Sequence, residues 1–137
     1  MTFSVALVSR SAIALILSAA TLLASLAPRQ ATAAYEQDAY LRSNAAVIYA
    51  ERAYARARPA EKRTAYQAYL YAYYGREYAY YGVVTGDQGW FYSAAYMHYA
   101  AYSYHESIHA YRPRTLGFQA QEAAYFAFLF SWYAFAS

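Results

Sequence analysis

The string His105-Glu106-Ser107-Ile108-His109 sets two imidazoles four residues apart with a carboxylate between them. On a helix, residues four apart stand one above the other, so both rings can reach one zinc ion. The glutamate lies beside them, where it can take a proton from metal-bound water. The surrounding stretch, Trp90 to Tyr111, contains no proline, which suits a helix. His98 falls on the same narrow arc as Phe91, Ala94, Tyr102, His105 and His109 at 100° per residue. That arc has two readings. It is a metal site using His98, His105 and His109, or a seam in which imidazoles and tyrosine hydroxyls satisfy one another. The seam is the expectation carried forward.

The five residues resemble the zinc-binding motif of the zincin metalloproteases. The resemblance implies His105 and His109 as zinc ligands and Glu106 as general base. In gluzincin-type enzymes a glutamate on a following helix supplies the third ligand, which implies Glu122, the sole acidic residue after His109. Measured from a turn near Pro113, His105 and Glu122 each lie about 12 Å along antiparallel helices. Glu122 also shares a stripe with Phe118, Phe126, Leu129 and Tyr133, an apolar face where a carboxylate needs a reason. Glu106-x-x-His109 resembles the ferritin-like dimetal element as well. The other candidates at that spacing, Glu51 with Tyr54, Glu77 with Tyr80 and Glu122 with Tyr125, carry tyrosine in place of histidine.

Zincin proteases place an edge strand beside the metal, and only Val83-Val84 here is β-branched enough for a strand. Catalysis is therefore the alternative, and a zinc metallopeptidase is the form it would take. Other chemistries lack their residues. The chain has no cysteine, which removes thiol nucleophiles, Cys-type zinc sites and thiolate haem ligation. Gly82 to Gly89 lacks the spacing and lysine of a phosphate loop.

Four helical segments must position these residues. Glu36 to Ala57 ends at Pro59. Ala60 to Tyr81 follows, with Pro59 at its first turn. Gly82 to Gly89 holds three glycines and reads as the clearest loop. Trp90 to Tyr111 is the third segment, with Asp87 as its cap, and Arg112-Pro113-Arg114 breaks it. Thr115 caps the fourth, which runs to about Ala136. The expected fold is all-α, a small bundle of about four antiparallel helices. Tyr71-Ala72-Tyr73-Tyr74-Gly75 recurs seven residues later as Tyr78-Ala79-Tyr80-Tyr81-Gly82, a step that keeps one face toward a neighbour. Over twelve residues the same stretch resembles the first helix of a tetratricopeptide repeat, with Tyr71, Tyr74, Gly75 and Tyr78 in its Trp, Leu, Gly and Tyr slots.

The first 33 residues differ from the rest. Arg10 precedes Ser11 to Ala27, a charge-free run rich in Ala, Leu and Ile, and Ala31-Thr32-Ala33 supplies an A-x-A cleavage string. This predicts a secretory signal peptide over 1–33 and an exported (periplasmic or secreted) domain over 34–137. The alternative is a membrane anchor through residues 11–27. Without Arg10 and Arg29, nine basic residues face eight acidic ones, a net charge near +1. The dense basic face that nucleic acid requires is absent.

All twenty tyrosines follow the signal segment. So many hydroxyls exceed what a small core can satisfy, so many must meet water, a lipid interface, a ligand or a partner. Ala123 to Ala136 is free of charge but covers only about 21 Å as a helix, short of the roughly 30 Å bilayer core. The leading expectation is a non-enzymatic interaction module that contacts its own copies, another protein or a membrane surface. Tyr71, Tyr74, Tyr78, Tyr81, Trp90 and Trp132 are its expected contact residues.

Overall fold

A computed structural model describes residues 29–109 and 115–137, with side chains from Ala34 to Ile108 and from Thr115 onward. The apolar run 11–27 lies outside the described residues. Four helices form, α1 Arg29–Ala55, α2 Lys62–Thr85, α3 Gly89–His109 and α4 Leu116–Ala136. Each packs on its neighbours in the chain and α1 closes against α4, while α1 and α3 barely meet across the centre. The result is an all-α up-and-down bundle, as expected. A cut after Ala33 removes five residues of α1. Among the described side chains, the first buried position of that helix is Ala39.

The innermost positions alternate by three and four residues on every helix, with Val47, Ala95 and Phe128 buried beside them. Ala39, Ser43, Ala46, Ala50 and Ala53 are buried on α1, and Ala65, Ala68, Ala72, Gly75, Ala79 and Gly82 on α2. On α3 the positions are Phe91, Ala94, His98, Ala101 and His105. On α4 they are Gly117, Ala120, Ala124, Ala127, Ser131 and Ala134. This is the seven-residue period of a left-handed bundle. The positions are filled almost wholly by Ala, Gly and Ser, and only α3 contributes bulk. Small side chains let the backbones approach closely, and the aromatic residues flank the seams. The expected apolar stripe of α4 is accordingly not the core. Phe126 is exposed, while Ala124 and Ala127 are fully buried.

Every described tyrosine is half-buried or exposed, which resolves the hydroxyl problem posed by the composition. Rings cover the seams, and no described tyrosine hydroxyl is buried without a hydrogen-bond partner. Across α2 and α3, Tyr71 stacks on Tyr104 at 5.5 Å and Tyr78 on Trp90 at 5.7 Å. Across α3 and α4, Tyr99 meets Phe128 at 5.6 Å, Tyr102 meets Tyr125 at 5.7 Å and Tyr92 meets Trp132 at 6.2 Å.

The turns follow local chemistry. Thr115 Oγ1 accepts from Phe118 N at 3.2 Å, the cap expected for α4. Asp87 Oδ1 accepts from Gly89 N at 2.9 Å at the start of α3. Lys62 Nζ donates to the carbonyls of Tyr54 (2.7 Å) and Ala55 (3.3 Å), tying the start of α2 to the end of α1. The loop expected over Gly82 to Gly89 shrinks to Gly86-Asp87-Gln88. Gly82 and Val83-Val84 continue α2, which ends where Gly86 adopts φ 71° and its N–H bonds Gly82 O. Gly82 is a packing glycine, not a loop glycine. A Cβ there would lie 2.6 Å from the Phe91 ring.

Candidate functional site

The residues that drew attention in the sequence separate in space. His105 is fully buried on the core side of α3. Glu106 is half-buried beside Tyr102, whose hydroxyl hydrogen-bonds both Glu106 and Gln121 of α4. Burial of Tyr102, together with the Glu106 carboxylate, pushes its phenol above the usual range. Glu122 is exposed on the other side of α4, lining a groove of about 230 Å³ with Arg42, Ala45 and Tyr49 of α1. The side chain of His109 lies outside the described residues. Among the described residues no three His, Asp or Glu side chains are grouped to hold a metal ion.

His98 occupies a defined polar layer. Its Nε2 lies 2.7 Å from Ser43 Oγ, and Ser43 Oγ donates its proton to Ala39 O at 2.7 Å. With that proton committed, Nε2–H must donate to Ser43 and Nδ1 is left as a bare acceptor. Nδ1 makes no hydrogen bond, nor does the buried Ser131 Oγ. Burial lowers the pKa of His98 to about 3, so the ring is neutral at ordinary pH. The bundle register shows why the layer exists. Ala39, Ala79, Ala94 and Ala134 share one apolar cluster, and Ala46, Ala72, Ala101 and Ala127 share the other. Between them each helix contributes one position: Ser43, Gly75, His98 and Ser131. Gly75 makes room, since a Cβ there would lie 2.6 Å from the His98 ring. A polar pair at one core level favours a single register over alternatives shifted along the heptads. The partner of His98 is a serine, where the seam reading had expected a tyrosine.

The surface holds the most continuous feature. A groove of about 570 Å³ runs over α3 between Tyr71 and Tyr104 on one side and Phe128 and Trp132 on the other, with Ala95, Ala100 and Ser103 as its floor. It joins a second groove of about 290 Å³ through Tyr92 and Tyr96, and a third of about 350 Å³ through Tyr71. No charged side chain lines any of the three. Tyr71, Tyr74, Tyr78 and Trp132, named from the sequence, line these grooves. Tyr81 and Trp90 pack against each other at 5.3 Å at the α2–α3 end.

Sequence reasoning missed Tyr92, Tyr96, Met97, Tyr99 and Tyr104. Tyr92 and Tyr96 are 51% and 64% exposed, and Tyr96 is the most exposed of the described tyrosines. Their signal was present, since they lie opposite the heptad positions of α3. The histidine arc on the opposite face carries the more conspicuous pattern. Comparison with known protein families, curated proteins and solved structures finds no match to this chain.

Proposed function

We propose that this protein is an exported, non-enzymatic interaction module that uses its charge-free aromatic face to contact a protein or a membrane surface. The observation that supports this reading most is the run of three adjoining grooves over α2, α3 and α4 without a charged lining residue. Isolated exposed aromatics are ordinary on a folded surface, but a contiguous charge-free patch marks a contact site. Tyrosine and tryptophan suit such a site because they combine a large apolar ring with a polar tip. The face of α1 is different in kind, with Asp38, Arg42, Glu51 and Arg52 exposed to water.

Export rests on the Ser11 to Ala27 run and on Ala31-Thr32-Ala33. No helix among the described residues is long and apolar enough to cross a membrane, so contact with a lipid surface would be interfacial. The test combines two measurements on the protein as the exporting cell processes it. N-terminal sequencing is expected to start at Ala34. Sedimentation over a wide concentration range, with and without neutral phospholipid vesicles, is expected to show self-association, a complex or vesicle binding. A monomer that ignores vesicles and captures nothing from the exported fraction would sink the proposal.

A further inference from the structure

We infer that the outer stripe of α3 is a two-fold interface, at which a second copy of this chain packs antiparallel with its own α3. This rests on the interaction reading above and names its partner. The stripe is Tyr92, Tyr96, Ala100, Ser103 and Ser107, spaced four, four, three and four residues apart and directed away from the core. It spans about 22 Å at helical rise. Its bulk is unevenly divided. The N-terminal half carries the two large exposed rings and the C-terminal half carries only small side chains.

That asymmetry selects an arrangement. A parallel copy would set Tyr92 on Tyr92 and Tyr96 on Tyr96, ring against ring, with a gap at the serines. An antiparallel copy about an axis between Tyr99 and Ala100 sets Tyr96 against Ser103 and Tyr92 against Ser107. It also brings Tyr99 beside Ala100 at the axis. All three pairs match an aromatic residue with an alanine or serine, and each recurs by symmetry, which is the requirement of an isologous interface. A shift of one turn in one direction sets Tyr96 against Tyr99, and a shift of one turn in the other sets Ala100 against Ser103 and leaves Tyr92 past the end of the small-residue half. The floor of small residues between aromatic walls gives each ring a recess to enter. From Gly89 to His105, α3 carries no Asp, Glu, Lys or Arg, so the pairing buries no charge along this length.

The absence of cysteine makes the test clean, because any introduced thiol is the sole one. Under mild oxidation of the folded protein, Ala100→Cys sits beside its own symmetry mate and is expected to give a disulfide-linked dimer. Ser107→Cys lies about 22 Å along the helix from its mate and is expected to remain uncross-linked. So is Tyr92→Cys alone, but mixing these two proteins should yield the cross-linked heterodimer. Ala100→Arg, on the exposed side of the helix, should keep its helical circular dichroism and shift the dimer to monomer at least tenfold in concentration. A dimer cross-linked in another pattern overturns this interface and leaves the interaction reading standing. A monomer that binds neutral vesicles overturns it in favour of a lipid partner. A monomer that binds neither vesicles nor any protein of the exported fraction overturns both.

Discussion

The helices α1 and α3 stand diagonally across the bundle and differ on both of their faces. Inward, α1 offers only small side chains at its heptad positions, from Ala39 to Ala53, whereas α3 carries Phe91, His98 and His105 at successive seven-residue steps. Outward, α1 presents Asp38, Arg42, Glu51 and Arg52, whereas α3 presents Tyr92, Tyr96, Ala100, Ser103 and Ser107. One helix is therefore small within and solvated without. The other fills the core and leaves an aromatic, charge-free outer face. The difference teaches that the abundance of tyrosine is not uniform decoration. The three largest fully buried side chains, Phe91, His98 and His105, all come from one helix, and the charge-free outer surface is centred on that same helix.

The inward half of the comparison breaks most strongly in acid. His98 is neutral when folded, with a pKa held at about 3 by burial against an ordinary 6.5. Below pH 6.5 the unfolded chain takes up a proton that the folded ring refuses. Stability is therefore full above that pH and falls as the pH drops toward 3. At about 1.4 kcal/mol per pH unit, the loss approaches about 5 kcal/mol. His98→Phe keeps a ring over Gly75, as Phe91 sits over Gly82, and removes the titrating group. Urea unfolding of both proteins from pH 7 to 4 should show the wild type losing more stability than the variant. Parallel losses would show that His98 is not the source.

A smaller effect is expected where α2 yields to α3. Gly75→Ala and Gly82→Ala would each place a Cβ 2.6 Å from a ring on α3. Alanine ordinarily stabilises a helix interior by about 1 kcal/mol over glycine, so a gain is the naive expectation. Overpacking reverses the sign, with a net loss of about 1–3 kcal/mol by denaturant unfolding. Phe91→Leu in the Gly82→Ala background should recover part of that loss, because the shorter side chain vacates the space.

These glycines also mark what the sequence made legible. Four helices and the caps at Asp87 and Thr115 are legible from proline, glycine and capping residues, while the break expected at Arg112-Pro113-Arg114 lies outside the described residues. Gly82 misled, since a glycine that accommodates a neighbouring ring and one that opens a loop look the same in a sequence. The core stripe was equally hard to see. Hydrophobic periodicity weights Phe, Leu and Tyr most heavily, so Phe126 and Leu129 drew the reading away from Ala124, Ala127 and Ser131. His98 and His105 were read correctly as one face, but the pairing of His98 with Ser43, 55 residues away, depends on the bundle register. No local pattern states that register.

The outward half can be tested by exchanging character between the two helices. Tyr96→Glu on α3 and Ile48→Glu on α1 both replace exposed apolar residues. Each should change the stability of the isolated chain by no more than about 0.5 kcal/mol. In sedimentation the two should part, with Tyr96→Glu weakening association about tenfold or more and Ile48→Glu leaving it unchanged. Equal effects would show that the two faces are equivalent, and the contrast would lose its meaning.

The mildest effect is expected where the charged face of α1 touches aromatic rings of another helix. Arg42 of α1 lies 5.5 Å from the centroid of Phe126 and 5.2 Å from that of Phe130, both on α4. The guanidinium closes over the rings that the alanine core leaves outside, and its stem covers part of their surface. Arg42→Ala should destabilise the fold by about 0.5–1 kcal/mol. Arg42→Met, which keeps the apolar stem but not the charge, should recover the share due to packing. Association through α3 should be unmoved by either change, because Arg42 sits on the far side of the bundle from Tyr96. If Arg42→Ala disperses the dimer as Tyr96→Glu does, the contact face extends around α1, and the division between a solvated helix and a contact helix fails.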